Sequence, residues 1–132
     1  MPRAVIIDDD PGYHRLTGAL IDKYGVFDYV SYTDPRSALI DLIDCHFSSK
    51  VLPDLILLDL KMPGVSGWEF LESFDNLRAV ISKEIPVFIV TSSVDPNDTF
   101  RSKQYSAVKG FFSKPISPDN LKTIADRSVK SQ

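Results

Sequence analysis

The sequence has few of the features that mark secreted and membrane proteins. Its 132 residues contain one cysteine, Cys45, which cannot form a disulfide within the chain and which we interpret as a small core residue. No apolar run approaches the roughly 20 residues that a membrane-spanning helix needs. Residues 1–3 lead directly into an apolar run, without the basic, apolar and small-residue regions of a signal peptide. We therefore expect a cytoplasmic protein that does not interact with membranes.

An excess of charge of one sign is also missing. The chain carries 15 Lys and Arg residues against 18 Asp and Glu residues, and the basic residues are scattered along it. Proteins that bind nucleic acid directly usually concentrate basic residues on one face, so we expect no direct nucleic-acid binding. The hydrophobic content of 43% is ordinary for a globular protein, and 132 residues suffice for one core. We expect a single domain over residues 1–132, without an effector domain.

Five short runs have the composition of β-strands. Four of them are continuously apolar, which is typical of strands buried on both faces in a parallel sheet covered by helices. The fifth, Tyr29 to Tyr32, is more polar, and we predict it at the edge of the sheet. The four apolar runs are Ala4 to Ile7, Leu55 to Leu58, Pro86 to Val90 and Val108 to Phe112.

The segments between these runs have the spacing of amphipathic helices. Helix starts are predicted where a capping side chain precedes a proline, at Asp34-Pro35, Asp95-Pro96 and Ser117-Pro118. Ser66 and Glu69 form a capping box at another start. This alternation predicts an open, doubly wound α/β fold with five βα units and right-handed crossovers. The predicted apolar helix faces are Tyr13, Leu16, Leu20 and Tyr24; Ala38, Leu39, Leu42 and Ile43; Phe70, Leu71, Phe74 and Leu77; and Leu121, Ile124, Ala125 and Ser128.

Polar residues follow the predicted strands at the point where each strand ends. In this fold class the carboxyl ends of the strands meet at one rim, where ligands bind. Carboxylates gathered there repel one another by roughly 4 kcal/mol per pair at about 4 Å and an effective dielectric of 20, so the cluster needs a cation such as Mg²⁺ or Mn²⁺. The residues are Asp8, Asp9 and Asp10 after the first strand, Asp59 after the third, Thr91 and Ser92 after the fourth, and Lys114 after the fifth.

The types of these side chains point to phosphoryl transfer. Lys114 can pair with a carboxylate at rest and with a phosphoryl oxygen afterwards, and Thr91 offers a hydroxyl donor. Together with a carboxylate nucleophile and a divalent cation, these are the groups needed to form and hold an acyl phosphate.

The same residues lie in four motifs that occur in order along the chain. The motifs are Val5-Ile6-Ile7-Asp8-Asp9-Asp10-Pro11, Leu57-Leu58-Asp59-Leu60-Lys61-Met62-Pro63, Val90-Thr91-Ser92 and Ser113-Lys114-Pro115. Together they resemble the receiver domain family of response regulators in two-component systems. One such motif is common, whereas four in the right order at strand ends are specific. The resemblance covers nearly the whole chain and implies a flavodoxin-like fold with strand order 2-1-3-4-5.

The resemblance also implies a role for each residue. It implies that Asp59 is the phosphoacceptor and that Lys114 binds the phosphoryl group. It implies that Thr91 is a switch hydroxyl and that Phe111 is an aromatic switch residue, although core packing explains Phe111 equally well. The implied metal site, for Mg²⁺ or alternatively Mn²⁺, comprises Asp8, Asp9, Asp59 and the backbone carbonyl of Lys61.

Partners and a switching mechanism follow from the same resemblance. The phosphoryl group would come from the phosphohistidine of a sensor histidine kinase or a histidine phosphotransfer protein, and small acyl phosphates would substitute for these donors. Phosphorylation would change the face formed by helix 4, strand 5 and helix 5 for an unidentified protein target. Such a chain is a switch that catalyses only its own phosphorylation and dephosphorylation.

Two other functions stay open on the sequence alone. Asp8 and Asp10 resemble the nucleophile and acid pair of haloacid-dehalogenase-like phosphohydrolases. That class expects a further acidic pair after the lysine, but residues 115–117 are not acidic, and Asp59 would have no role. The second alternative is an interaction module that keeps the fold and binds its partner regardless of phosphorylation.

Overall fold

The computed structural model describes residues 2–25, 27–48, 51–62, 66–81, 83–92 and 95–130, and within them strands and helices alternate. The strands are β1 (Arg3–Ile7), β2 (Asp28–Tyr32), β3 (Leu55–Leu58), β4 (Val87–Thr91) and β5 (Val108–Ser113). The helices are α1 (Pro11–Tyr24), α2 (Pro35–Ser48), α3 (Gly67–Leu77), α4 (Pro96–Ser102) and α5 (Pro118–Lys130). Each predicted strand is confirmed to within one residue at either end.

The strands form one parallel sheet in the order β2-β1-β3-β4-β5. Every residue of β3 and β4 is buried, whereas β2 and β5 at the edges keep exposed residues. The doubly wound, flavodoxin-like fold and the edge position of the more polar strand are therefore confirmed. The chain leaves β1 toward one edge and returns to β3 on the other side, so the strand order reverses between β1 and β3. Ligands in such folds bind outside the carboxyl ends of the strands at this reversal.

Two apolar layers cover the faces of the sheet. One face packs against α2 and α3, with Leu42, Phe70 and Phe74 at 2% exposure or less. The other face packs against α1 and α5, where Ile21 and Leu121 are equally buried. Burying one side chain of this size stabilises the fold by about 1.5–3 kcal/mol. None of the described helices is long and apolar enough to span a membrane.

Capping side chains fix where the helices begin. Asp95 accepts a hydrogen bond from the Asn97 amide at 2.9 Å, and Ser66 accepts one from the Glu69 amide at 3.3 Å, as the sequence predicts. Asp10 caps α1 in the same way by accepting a hydrogen bond from the Gly12 amide. Since the first amide groups of a helix have no partner within it, these bonds hold each helix start at a defined residue.

The predicted apolar face of α1 is partly wrong, because Tyr13 and Leu20 pack against the core but Leu16 and Tyr24 do not. The helix buries Thr17, Gly18 and Ile21, whereas Leu16 is 50% exposed and Tyr24 is 37% exposed. Gly18 is one of the buried residues, and a Cβ atom there would lie 2.3 Å from the Tyr29 hydroxyl oxygen. The missing side chain lets the Tyr29 ring of β2 approach the helix backbone closely.

A smaller correction applies to α2. Its predicted apolar face included Ala38, Leu42 and Ile43, of which Ala38 and Leu42 are buried and Ile43 is 39% exposed. The predicted face of α5 is confirmed at its centre, with Leu121, Ile124 and Ser128 all buried.

Candidate functional site

The backbone ladders of the sheet bring the strand ends to a common rim. The amide of Asp8 donates to the carbonyl of Tyr32 at 3.0 Å, and the amide of Asp59 donates to that of Ile7 at 2.9 Å. The amide of Lys114 donates to the carbonyl of Thr91 at 2.9 Å. Each bond extends strand pairing just past a strand end, so the polar residues that follow the strands are held in register with one another.

Three carboxylates converge at this rim. Asp8, Asp9 and Asp59 each offer one oxygen, and these three oxygens lie within 4.8 Å of one another. Asp8 and Asp59 are buried, while Asp9 is half-buried at the opening. The other oxygen contacts orient the side chains: Asp8 Oδ1 accepts a hydrogen bond from the Asp10 amide at 2.9 Å, and Asp59 Oδ1 accepts a long one from the Lys61 amide at 3.4 Å.

Lys114 supplies the positive charge of the site. Its Nζ lies 2.6 Å from Asp8 Oδ2 and 3.5 Å from Asp59 Oδ2, so its closer partner is Asp8. The same ammonium group lies 4.2 Å from the ring centroid of Tyr13 on α1, in a cation–π contact. With its side chain only 18% exposed, Lys114 is held between two carboxylates and an aromatic ring, and its peptide bond to Pro115 is cis.

Burial and charge shift the pKa values at the rim in a connected way. Burial raises the pKa of Asp59, and the charge of Asp8 adds to this rise, while Lys114 opposes it. Burial alone would lower the pKa of Lys114, but the hydrogen bond and charge of Asp8, with the charge of Asp59, raise it. Burial also raises the pKa of Tyr13, with the nearby Thr17 hydroxyl and Lys114 acting against this rise. The site therefore keeps Lys114 cationic and disfavours a bare negative charge on Asp59.

The donor set fits a hard divalent cation. With all groups ionised, three carboxylates and one ammonium leave two negative charges at the rim, which one divalent ion would neutralise. The oxygen donors suit Mg²⁺ or Mn²⁺, which are commonly held by one or two carboxylates together with a substrate phosphate. The half-buried position of Asp9 keeps the cluster open to solvent and to a phosphoryl donor. The described residues could thus hold the metal that the sequence predicts.

The two predicted switch residues lie on the neighbouring strands β4 and β5. Thr91 ends β4 and is fully buried, and its carbonyl is the acceptor for the Lys114 amide. Phe111 on β5 is half-buried and packs against the core cluster shared by α2 and α3. Lys61 is exposed, and its amide points toward Asp59. The roles of these residues stay predictions, and Pro63 of the second motif lies outside the described residues.

Three residues of the site were not predicted from the sequence. His14 Nε2 lies 2.5 Å from the carbonyl oxygen of Asp8, so the imidazole N–H donates to the backbone that carries the buried carboxylate. Tyr13 forms one wall around Lys114. Gly67 begins α3 so close to the segment after β3 that a Cβ atom there would lie 2.4 Å from the Asp59 carbonyl oxygen. Only Gly67, directly after the capping Ser66, carried a signal in the sequence.

Comparison with known proteins agrees with this geometry. The model of the response regulator receiver domain family matches residues 4–126. The phosphate regulon transcriptional regulatory protein PhoB of Klebsiella pneumoniae is 29% identical over 90% of this chain and 48% of its own length. The sensor histidine kinase CheAY of Helicobacter pylori is 33% identical over 60% of this chain and 10% of its own length.

The fold has a similar counterpart among solved structures. A two-component response regulator from Cytophaga hutchinsonii superposes with a TM-score of 0.87 at 24% identity, covering 97% of this chain and 96% of that one. The chain spans about half the length of the PhoB relative that it matches. Since the family model covers nearly all of the sequence, the chain belongs to the response regulator receiver domain family of two-component signalling.

Proposed function

We propose that this chain is a phosphorylation switch that accepts a phosphoryl group on Asp59. The observation that carries the proposal is the position of the Asp59 carboxylate, which is buried at the rim beside Asp8 and Asp9, with Lys114 Nζ at 3.5 Å. Burial, the clustered carboxylates and a fixed cation together form an environment suited to a phosphoryl group and a divalent ion. Mg²⁺ is the proposed ion, with Mn²⁺ as a substitute.

The proposed reaction transfers a phosphoryl group from a phosphohistidine. One oxygen of Asp59 attacks phosphorus, the bond from phosphorus to the imidazole nitrogen breaks, and the leaving imidazole keeps the electron pair and takes up a proton. Lys114 neutralises charge on the phosphoryl oxygens, and Asp8 and Asp9 with the carbonyl of Lys61 complete the site. A bound Mg²⁺ would supply further neutralisation of the phosphoryl oxygens.

The proposed switch begins with the charge of the product. A phosphorylated Asp59 carries about two negative charges, which attract Lys114 away from Asp8. Thr91 takes part in the switch through two groups. Its backbone carbonyl accepts a hydrogen bond from the Lys114 amide, and its hydroxyl becomes a donor to the phosphoryl group. Phe111, three residues before Lys114 on β5, then moves inward, and the face of α4, β5 and α5 changes for a protein target. Such couplings are typically about 1–3 kcal/mol.

The proposed phosphodonor is a sensor histidine kinase or a histidine phosphotransfer protein. The similarity to part of a protein named as a sensor histidine kinase supports a role in the same signalling chemistry. The proposed output is binding of a protein target, without direct nucleic-acid binding. A cytoplasmic location is proposed as well, and the free Cys45 is consistent with a reducing compartment.

Labelling with a small acyl phosphate tests the proposal. We expect acetyl phosphate and Mg²⁺ to label the wild-type chain and the Asp10→Asn variant, and to leave Asp59→Asn unlabelled. Asn retains the helix-capping role of Asp10, which makes this variant a matched control for the loss of a carboxylate. A phosphohydrolase that used Asp8 and Asp10 would lose labelling in Asp10→Asn and retain it in Asp59→Asn. An interaction module would bind its target equally well in wild type and Asp59→Asn.

A further inference from the structure

A small cavity lies between α1 and the centre of the sheet, directly behind the acceptor site. Its volume of about 10 Å³ matches the space that one buried water molecule requires. Apolar residues of β1, β3 and β4 form most of its walls. Four polar residues also line it, namely Asp8, Tyr13, Thr17 and Asp59.

Polar atoms in this wall lack the hydrogen bonds that buried groups normally make. The hydroxyl groups of Tyr13 and Thr17 are near enough to interact, yet both oxygens are buried and neither forms a hydrogen bond of normal geometry with any described residue. Thr17 is only 1% exposed. Asp8 Oδ2 pairs with Lys114 but makes no other hydrogen bond to the described residues, and a carboxylate oxygen can accept two. Buried donors and acceptors without partners are destabilising, and these three oxygens belong to residues that line one cavity, which points to a ligand.

We propose that the cavity binds one ordered water molecule, held by Tyr13, Thr17 and Asp8. Water can donate two hydrogen bonds and accept two, so it can accept from both hydroxyls and donate to Asp8 Oδ2. Three partners is the usual number for a buried water. Water also explains why α1 carries hydroxyl groups at two positions that face an otherwise apolar part of the sheet.

The water has a consequence that rests on the proposed function. When Lys114 turns toward a phosphoryl group, Asp8 Oδ2, in a side chain only 1% exposed, loses the ammonium group that lies 2.6 Å away at rest. A water that donates to Asp8 Oδ2 keeps this charge hydrogen-bonded and lowers the cost of the movement. Tyr13 and Thr17 are therefore positioning residues, which act through the water and Asp8 on Lys114.

A high-resolution crystal structure of the wild-type chain and of Thr17→Val tests the water site directly, without phosphorylation. We expect wild-type electron density in the cavity at hydrogen-bond distance, about 2.7–3.2 Å, from the oxygens of Tyr13, Thr17 and Asp8. We expect this density to be lost in Thr17→Val and kept in Thr17→Ser, which retains the hydroxyl. A wild-type cavity without density, or with an ion at the 2.0–2.1 Å typical of Mg²⁺ ligands, would overturn the proposal.

The sign of a stability change provides an independent test. If the cavity is dry, Thr17→Val replaces an unpaired buried hydroxyl with a methyl group of similar shape and raises the Tm. If water is bound, the same variant breaks its hydrogen bonds and lowers the Tm by several degrees relative to wild type. Tyr13→Phe, which keeps the ring beneath Lys114, should also lower the Tm and serves if Thr17→Val does not fold. A rise in Tm for either variant contradicts the proposal.

Labelling kinetics separate the positioning role from the water site itself. We expect Thr17→Val to lower the maximal rate of labelling by acetyl phosphate about 3- to 10-fold, with an unchanged dissociation constant for Mg²⁺. A normal rate with the water present in wild type and absent in the variant would refute the positioning role only. Failure of wild-type labelling at Asp59 would instead refute the proposed function and leave the water site standing.

Discussion

At the scale of single residues, the site depends on how Lys114 divides its charge between two carboxylates. Lys114 Nζ is closer to Asp8, at 2.6 Å, than to Asp59, at 3.5 Å. Asp8 is therefore neutralised at rest, while Asp59 is the carboxylate whose pKa burial raises. Because its negative charge is less fully compensated, Asp59 is the carboxylate that is stabilised most when a cation and a phosphoryl group bind together.

The raised pKa of Asp59 predicts an unusual effect of pH on stability. The folded-state pKa of Asp59 lies above the unfolded value of about 3.9, so the folded state binds this proton more tightly than the unfolded state does. The protonated carboxyl therefore adds to the free energy of unfolding at low pH, and this contribution is lost as pH rises through the folded-state pKa. In EDTA, Asp59→Asn should therefore be more stable than wild type at pH 7, with a smaller difference near pH 4. Urea unfolding across this pH range measures the difference, with Asp22→Asn on the exposed part of α1 as the control. A variant that is less stable at pH 7 would contradict the assignment.

Some of these residues were predictable and others were not. Asp8, Asp59 and Lys114 could be placed from the sequence, because each follows an apolar run and parallel strands end at one rim. The preference of Lys114 for Asp8 could not, since it depends on side-chain distances within the folded site. Tyr13 and Thr17 were also not assigned to the site, because the helical spacing that placed Tyr13 on the core face does not show which residues of α1 line the strand ends.

At the scale of elements, α3 packs closely against the segment after β3, which begins with Asp59. The amide of Gly67 donates to the carbonyl of Leu60 at 3.0 Å, and the helix starts within contact of the Asp59 backbone. The next residue, Trp68, lies under the guanidinium of Arg101 at 4.3 Å from its ring centroid, and the ring of Tyr105 stacks on Trp68 at 6.1 Å. The start of α3 therefore contacts the segment after β3 on one side and the region of α4 on the other.

Gly67→Ala tests the close packing between α3 and the backbone of Asp59 and Leu60. The added Cβ would lie 2.4 Å from the Asp59 carbonyl oxygen and 2.7 Å from the Leu60 Cα, and both are backbone atoms that move only with the loop. We expect a loss of about 1–3 kcal/mol in the free energy of unfolding and slower labelling of Asp59. Gly12→Ala is the control, because its nearest atom is the end of the exposed Asp10 side chain at 3.2 Å. Chemical denaturation that shows equal stability for both variants would contradict the expected clash.

At the scale of the whole molecule, the order of strands determines where the chemistry occurs. The alternation of apolar runs with amphipathic segments predicted the five parallel strands, since strands buried on both faces have a distinct composition. Helix faces were less predictable, as the exposed Leu16 and Ile43 show, because tertiary packing decides which apolar side chains of a helix are covered. The fold could therefore be predicted from the composition of successive segments. The side chains that line the site could not, because they depend on tertiary packing.

Metal binding should stabilise the entire fold through the carboxylate cluster. A ligand that binds only the folded state at 100 times its dissociation constant adds about 2.7 kcal/mol. We expect Mg²⁺ to raise the Tm of the wild-type chain, and Asp9→Asn to lose most of this increase because one oxygen donor is weakened. Asp10→Asn, with an adjacent carboxylate that caps α1, should keep the increase. An equal increase in Tm with Mg²⁺ for the wild-type chain and both variants would indicate that the metal binds elsewhere.

Chemical trapping of the phosphorylated residue tests the central claim most directly. Borohydride reduces an aspartyl phosphate to homoserine, so treatment after acetyl phosphate and Mg²⁺ marks the acceptor, and peptide mass spectrometry locates the mark. The account predicts homoserine at position 59 in the wild-type chain. Homoserine at position 8, or at neither position despite an intact fold, would contradict it.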